Sequence, residues 1–165
     1  MPSDLSGVTA AVITVSDRRA SGTAADSSGP TIAAALTEAG ASVAVSIVPD
    51  GVESVRDAIV AARASGARVI LTTGGTGVAP RDLTPEATAP LLERDLPGIP
   101  ELLRREGAHA TPMAAVSRGL AGITAAPQRA VIVNLPGSQG AARDGVAALL
   151  PLLGHLVAQV DGADH

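Results

Sequence analysis

The sequence lacks cysteine, lysine and all three aromatic residue types, since each of its 12 basic side chains is an arginine. Without cysteine the chain has no disulfide framework, no thiolate metal site and no cysteine nucleophile. Without lysine it has neither Schiff-base chemistry nor the phosphate-binding lysine of a Walker loop. Without aromatic rings it offers no platform for base stacking, so single-stranded nucleic-acid binding of the usual kind is not expected.

Charge is also scarce, at 17% of residues, and 12 arginines against 16 acidic side chains give a net charge of -4. This balance provides no electrostatic footprint for duplex DNA, and we expect no nucleic-acid partner. The apolar residues make up 46% of the chain and are all aliphatic, with a mean hydropathy of +0.32. Buried parallel strands would explain this composition, and so would a surface hidden by oligomerisation.

The ends of the 165-residue chain carry no recognisable targeting segment. Residues 1–7 have neither the basic start nor the apolar core of a secretory signal. The apolar stretch Gly145–Val160 is shorter than a bilayer-spanning helix. We therefore expect one domain over residues 1–165, a cytoplasmic location and no membrane partner.

Apolar runs alternate with helical patterns in the first half of the chain. The predicted strands are Val8–Val15, Ser42–Val48 and Arg68–Thr72. The predicted helices are Thr31–Ala39 and a segment that starts near Val52 and ends at Gly66. This β-α-β-α-β order predicts an α/β fold with three layers, in which a mostly parallel sheet has helices on both faces.

The second half is less regular. Helices are predicted at Pro85–Arg94 and Pro97–Gly107, and residues 111–119 are expected to be irregular or weakly helical. Two strands, Leu120–Ala125 and Ala130–Leu135, are joined by a turn. A long terminal helix follows residues 136–138, and Pro151 within it predicts a kink.

Four polar loops follow predicted strands, at residues 16–29, 49–51, 73–84 and 136–140. Ligands of an open parallel sheet bind at the carboxyl ends of its strands, so these loops are where a site is expected. The sharpest signal is Thr73-Gly74-Gly75-Thr76-Gly77, whose unobstructed backbone N–H groups suit a phosphate. A flexible turn is the alternative, and neither the Walker nor the dinucleotide-binding pattern is matched.

Asp50 and Asp82 are candidate Mg²⁺ ligands, because Mg²⁺ takes carboxylate oxygens and bridges substrate phosphates. Each has an alternative as a helix cap or turn residue, and the same ambiguity applies to Asp17 and Asp26. Ser138 is either a helix N-cap or part of an anion site, and the two roles can coexist.

Four arginines near these loops are candidate phosphate clamps, with solvated surface charge as the alternative. They are Arg18, Arg19, Arg81 and Arg118. The three histidines have no ligand-like spacing, and no Ser–His–acid pattern supports a hydrolase.

A longer string around the glycine loop is recognisable. Residues 71–77 read Leu-Thr-Thr-Gly-Gly-Thr-Gly, and residues 79–88 continue as Ala-Pro-Arg-Asp-Leu-Thr-Pro-Glu-Ala-Thr. This string closely resembles the Mog/MoaB domain family, which includes the G domain of gephyrin and bacterial molybdopterin adenylyltransferases. Shorter matches in the family's order extend the resemblance over nearly the whole chain. They are Ser16-Asp17, Gly22, Asp26, Ser28-Gly29, Val48-Pro49-Asp50, Pro97-Gly98, Ser117-Arg118 and Asn134-Leu135-Pro136-Gly137-Ser138.

The resemblance implies the MogA-like molybdopterin-binding fold and a homotrimer. It further implies a step of molybdenum cofactor biosynthesis, the Mg²⁺- and ATP-dependent adenylylation of molybdopterin with release of pyrophosphate. The product would pass to a molybdate-inserting enzyme. Carried over by position, Asp50 and Asp82 are the catalytic pair and the Mg²⁺ ligands. The implied substrate- and nucleotide-binding residues are Thr73, Gly74, Gly75, Thr76, Gly77, Arg81, Gly137 and Ser138, with Ser16, Asp17, Asp26 and Gly29 at the rim of the nucleotide site.

Two other functions stay open. The chain could be a non-catalytic molybdopterin-binding or scaffold trimer of the MoaB type, or a generic flavodoxin-like nucleotide-binding domain. It departs from many relatives at Val78, where they carry a bulky residue, and at Gln139, where some carry lysine. These departures bear on pterin packing and affinity more than on the reaction.

Overall fold

A computed structural model describes residues 4–163 and contains six strands and six α-helices. The strands are β1 (Thr9–Val15), β2 (Ser42–Val48), β3 (Val69–Thr73), β4 (Leu92–Asp95), β5 (Ala121–Thr124) and β6 (Val131–Leu135). The helices are α1 (Asp17–Ala20), α2 (Ser28–Glu38), α3 (Val52–Ala64), α4 (Thr84–Thr88), α5 (Gly98–Ala108) and α6 (Gln139–Val160). Two short 3-10 segments cover Ala89–Leu91 and Pro112–Val116.

All six strands belong to one sheet with the order β2-β1-β3-β6-β5-β4. Strands β2, β1, β3 and β6 are parallel to one another, whereas β5 runs antiparallel to both β6 and β4. The predicted α/β fold with a mostly parallel sheet is therefore confirmed. The predicted turn between β5 and β6 is also confirmed, because the two strands pair as neighbours.

Helices cover both faces of the sheet, because successive side chains of a strand point to opposite sides. Val12 and Leu71 pack with α2, α5 and α6 on one face. Ile13 and Ile70 pack with α3 and α4 on the other. The central strands are buried on both faces and read as continuous aliphatic runs, which accounts for the high mean hydropathy.

The helix predicted over Pro85–Arg94 is wrong in its second half. Helix α4 ends at Thr88, a 3-10 turn follows, and Leu92–Asp95 form edge strand β4, paired with β5. Pro90 cannot donate a backbone hydrogen bond, so it cannot continue the α-helical pattern. The side chains of Glu93, Arg94 and Asp95 are exposed, so charged residues are tolerated in this strand. Their polar pattern resembles that of an exposed helix.

The first predicted loop is shorter than expected. Ser16 caps a single helical turn, α1, by accepting a hydrogen bond from the Arg19 N–H at 3.3 Å. Helix α2 begins at Ser28 rather than Thr31, so Pro30 lies at its third position. A proline is tolerated there because the first four N–H groups of a helix have no intrahelical acceptor.

The long terminal helix is confirmed, with Pro151 inside it. With 22 residues, α6 is long enough and apolar enough to cross a membrane. The prediction from the sequence considered only the shorter stretch Gly145–Val160, so its statement that this segment is too short was wrong. In this fold α6 instead packs Val146, Leu149 and Leu153 into the core beside the sheet. These buried residues account for part of its apolar composition.

Candidate functional site

The loops that follow β1, β2, β3 and β6 meet at one edge of the sheet, as the parallel strands predict. The Thr73 hydroxyl donates a hydrogen bond to the Pro136 carbonyl at 2.8 Å, and the Gly74 N–H donates to the Leu135 carbonyl at 3.0 Å. The loop after β3 is thereby joined to the loop that leads into α6.

Residues 73–77, which we call the glycine loop, are folded tightly rather than flexibly. Gly74 and Gly75 have φ values of +105° and +67°. A Cβ on Gly74 would lie 2.3 Å from the Val15 carbonyl oxygen, and one on Gly75 would lie 2.3 Å from the Thr84 hydroxyl oxygen. The Thr84 hydroxyl also donates to the Gly74 carbonyl at 2.9 Å. Only glycine fits both positions without displacing neighbouring atoms.

The glycine loop presents backbone donors that the protein itself does not use. Within residues 4–163, the N–H groups of Gly75, Thr76 and Gly77 donate no hydrogen bond. Successive free N–H groups in a loop of this kind form a concave anion-binding site. Of the two interpretations of this sequence, the geometry favours phosphate binding over a plain turn.

The amino-terminal end of α6 lies against the glycine loop. The Ser138 hydroxyl caps the helix by accepting from the Ala141 N–H at 3.2 Å. A Cβ on Gly137 would lie 3.1 Å from the Gly74 Cα, so the two backbones are in close contact. The helix end and the loop therefore present their N–H groups and the positive end of the helix dipole in one region.

A cavity of about 560 Å³ opens beside these groups. We call it the main cavity. Its polar lining residues include Thr76, Gly77 and Ser138, together with Arg104 and Arg143. Its apolar walls come from α5 and the following 3-10 segment. These walls include Pro100, Leu103, Met113, Ala114 and Val116.

Sequence reasoning did not find the residues of these walls. Helix α5 was predicted, but nothing marked its partly exposed Leu103 as the lining of a cavity. Met113 and Val116 are 67% and 37% exposed, and they lie within the segment 111–119, which was expected to be irregular or weakly helical. A signal was present, because large apolar side chains in an otherwise polar loop are typical of a binding surface.

Asp17 and Asp50 are joined by two reciprocal hydrogen bonds, each from the backbone N–H of one residue to the carboxylate of the other. The Asp17 N–H donates to an Asp50 carboxylate oxygen at 2.9 Å, and the Asp50 N–H donates to an Asp17 carboxylate oxygen at 3.1 Å. Arg81 joins them, because its guanidinium contacts both Asp17 carboxylate oxygens, at 2.6 and 3.0 Å, and the Asp50 carbonyl at 2.8 Å. The hydrogen bonds from Arg81 hold the pKa of Asp17 below its usual value.

Asp82 follows Arg81, so the two candidate carboxylates belong to one cluster of loops. An Asp82 carboxylate oxygen accepts from the Ala79 N–H at 3.0 Å, and a Cβ on Gly77 would lie 2.7 Å from it. Over the described part of the chain, no group of three or more His, Cys, Asp or Glu side chains is arranged to hold a metal ion.

Asp26 and Gly29 have structural contacts that explain their residue types. One Asp26 carboxylate oxygen accepts from the Thr14 hydroxyl at 2.7 Å, and the other accepts from the Gly29 N–H at 3.1 Å near the start of α2. A Cβ on Gly29 would lie 2.4 Å from both side chains, so glycine is needed there. The capping interpretation of Asp26 is therefore favoured over a direct nucleotide contact.

Three of the candidate phosphate clamps make contacts within the protein. Arg81 is bound to Asp17, and Arg118 donates to loop carbonyls and to Glu86. Arg19 donates weakly to the Gly137 carbonyl at 3.4 Å, which links the first loop to the start of α6. These arginines connect the loops to one another.

Comparison with known proteins now bears on this geometry. The model of the family described as "Probable molybdopterin binding domain" matches residues 11–155. The chain belongs to this family. The family's match runs from β1 into α6 and includes the glycine loop, the cluster of loops at the sheet edge and the walls of the main cavity.

Two curated relatives match over most of the chain. The "Molybdenum cofactor biosynthesis bifunctional protein" of Synechococcus elongatus is 46% identical over 98% of this chain, but the chain spans only 50% of that protein's length. The "Molybdopterin adenylyltransferase" of Pyrococcus furiosus is 39% identical over 88% of this chain and 87% of its own.

Solved structures of the molybdopterin-binding family have the same fold. A structure of MogA superposes with a TM-score of 0.86 at 40% identity, covering 92% of this chain and 99% of its own. A molybdopterin biosynthesis protein from Mycobacterium abscessus also has a TM-score of 0.86 at 40% identity, covering 93% of this chain and 96% of its own. The predicted Mog/MoaB resemblance and MogA-like fold are therefore confirmed.

Proposed function

We propose that this domain acts in molybdenum cofactor biosynthesis by adenylylating molybdopterin with ATP and releasing pyrophosphate. One observation carries the proposal: Thr76 and Gly77, whose N–H groups donate no hydrogen bond within residues 4–163, line a mostly apolar cavity together with Ser138 at the start of α6. A ligand with a phosphate at one end and a flat, weakly polar ring system at the other would match both parts. The relative named for this activity, at 39% identity, supports the same conclusion.

The reaction suits a chain without cysteine or lysine. A terminal phosphate oxygen of molybdopterin would form a bond to the α-phosphorus of ATP, while the bond from that phosphorus to the bridging oxygen breaks. The leaving pyrophosphate takes the electron pair. Because the attacking phosphate is already ionised at neutral pH, no protein nucleophile or strong base is required, and catalysis depends on positioning and charge neutralisation.

A divalent cation fits the two candidate carboxylates only if the nucleotide completes its coordination. Mg²⁺ is commonly bound by one or two carboxylates together with substrate phosphates and water. Asp50 and Asp82 would supply those carboxylates, in agreement with the absence of a larger ligand group among residues 4–163. When bound, the cation would neutralise charge on the phosphates of ATP.

The rings of the substrates would lie on aliphatic side chains and arginine planes, because the chain has no aromatic residue. The main cavity offers Leu103, Met113 and Val116 for apolar contact. Arg104 and Arg143 at its edge can stack on a ring or pair with a phosphate. Val78, at a position where many relatives carry a bulky residue, also lines the main cavity and would add an aliphatic contact.

The remaining parts of the proposal follow from the family. A homotrimer, a cytoplasmic location and hand-over of the product to a molybdate-inserting enzyme are consistent with this chemistry. The alternative function is a non-catalytic molybdopterin-binding or scaffold trimer. It is favoured by one observation, that Asp17, Asp50 and Asp82 already accept hydrogen bonds from backbone N–H groups or Arg81.

The catalytic and binding-only functions separate in the variants D82N and D50N. We expect each to lower the rate of pyrophosphate release by about 10²- to 10³-fold, because the cation that would neutralise the phosphates in the transition state loses a carboxylate ligand. Binding of molybdopterin, followed by the absorbance of the pterin, should change little. The matched control is D57N, which removes an exposed carboxylate on α3 that pairs with Arg56 at the surface. Full turnover in both D82N and D50N would refute the carboxylate role.

A further inference from the structure

Arg118 lies directly behind the glycine loop and is bound to three parts of it and its continuation. Its backbone N–H donates to the Thr76 carbonyl at 2.8 Å, and its Nε donates to the Gly77 carbonyl at 2.8 Å. Its Nη2 donates to the Asp82 carbonyl at 2.6 Å. The guanidinium also pairs with Glu86 on α4. One residue therefore connects the glycine loop, the turn that carries Asp82 and helix α4.

The carbonyls that Arg118 binds determine where the loop's donors point. In a trans peptide the C=O and the following N–H point in opposite directions. Fixing the carbonyls of Thr76 and Gly77 toward Arg118 therefore turns the N–H groups of Gly77 and Val78 away from it. Thr76, Gly77 and Val78 line the main cavity. Within residues 4–163 the N–H groups of Gly77 and Val78 donate no hydrogen bond, so they are available to a ligand bound there.

We propose that Arg118 is a positioning residue, which orients the N–H groups of Gly77 and Val78 for a bound phosphate and holds Asp82 in place for adenylyl transfer. It acts through the backbone and touches neither substrate. The inference rests on the proposed function and adds to it a residue that the sequence had suggested only as a phosphate clamp.

The residue type follows from this geometry. A guanidinium is a rigid fork with five donors that point in several directions, whereas a lysine ammonium is a single flexible centre. Lysine could not reach Gly77, Asp82 and Glu86 at once. The ion pair itself contributes little, because the side chains of Arg118 and Glu86 are 37% and 43% exposed. The bonds to the carbonyls are what the loop requires.

The test compares R118K with wild type and with R56K, an arginine-to-lysine change on α3 where Arg56 pairs with the adjacent Asp57 at the surface. We expect R118K to lower kcat for pyrophosphate release about 100-fold per folded molecule, since a displacement of about 1 Å has such an effect. The KM for molybdopterin should change much less, and R56K should match wild type. A second variant, R118A, should regain activity with added ethylguanidinium but not with methylammonium.

Each outcome has one meaning. Normal kcat in R118K, or equal rescue of R118A by methylammonium, would overturn the positioning role. Loss of folded protein with unchanged kcat per folded molecule would also overturn it, because Arg118 would then be only structural. If wild type releases no pyrophosphate, the proposed function fails instead, and this result is visible before any variant is measured.

Discussion

The glycine loop gives the sharpest stability prediction, because Gly74 combines an unusual backbone conformation with a close backbone contact. Its φ is +105°, and a Cβ there would lie 2.3 Å from the Val15 carbonyl oxygen and 3.3 Å from the Val15 carbonyl carbon. Both atoms belong to the backbone where β1 ends, so they cannot rotate away. The G74A variant must therefore accept backbone strain and also displace the loop from β1.

Gly66 provides a matched control. Its φ is +94°, but a Cβ there would meet nothing within 4 Å. The G66A variant has the backbone strain alone, which costs about 1–3 kcal/mol. In G74A the forced contact adds about 2 kcal/mol, within the range of overpacked sites. For a chain of this length, that difference corresponds to about 4–8 °C in the unfolding midpoint.

Thermal unfolding followed by far-ultraviolet circular dichroism measures this difference, since the chain has no tryptophan or tyrosine for a near-ultraviolet or fluorescence signal. We expect the midpoint of G74A to lie clearly below that of G66A, and both to lie below wild type. Equal midpoints in the two variants would refute the contact between Gly74 and Val15. The glycine loop would then not be held tightly against β1, and its N–H donors would not be fixed in place.

Two further predictions follow from the ends of the site. In R81Q the pKa of Asp17 should rise toward its ordinary value, because the hydrogen bonds that lower it are lost. A carboxyl group with a lowered pKa in the folded state contributes stability above its unfolded-state pKa, and this contribution is lost as pH falls through its folded-state pKa. R81Q should therefore be less stable than wild type near neutral pH, and the difference should shrink in strong acid. Carboxyl NMR titration checks the shift, and an unchanged Asp17 titration would contradict it. S138A should lose about 1 kcal/mol with the cap on α6, while S138G should lose only a few tenths, as measured by urea unfolding; equal losses would contradict the cap.

Much of the first half of the fold could be predicted from local patterns. The strands at Thr9–Val15 and Ser42–Val48 are uninterrupted runs of small and β-branched residues, and glycines end the helices between strands. Because the connections are short, only a parallel arrangement with crossover helices was open to the chain. The predicted boundaries of these elements differ from the observed ones by a few residues at most.

The second half was harder because tertiary pairing decides its structure. Leu92–Asp95 has three charged residues and no strand pattern, yet it is a strand because β5 offers an open edge with which it pairs. A sequence pattern reports local preference, and an exposed edge strand has little of it. The predicted helix over the same residues was wrong for this reason.

The site was predicted in its loops but not in its contacts. The four loops could be placed at one sheet edge because parallel strands end together. The contacts of Arg81 with Asp17, and of Arg118 with Gly77, link residues 64 and 41 positions apart, which no local pattern indicates. The walls of the main cavity were missed because apolar residues that line a cavity have the same sequence pattern as apolar residues that pack against the core.

The central claim is that this domain transfers an adenylyl group to molybdopterin. The most direct measurement is to incubate purified wild-type protein with molybdopterin, ATP and Mg²⁺, and to identify the products by mass spectrometry and a pyrophosphate assay. The account predicts adenylyl-molybdopterin and pyrophosphate in equal amounts, formed only when all three components are present. Binding of molybdopterin without either product would contradict it and would leave the domain as a binding protein.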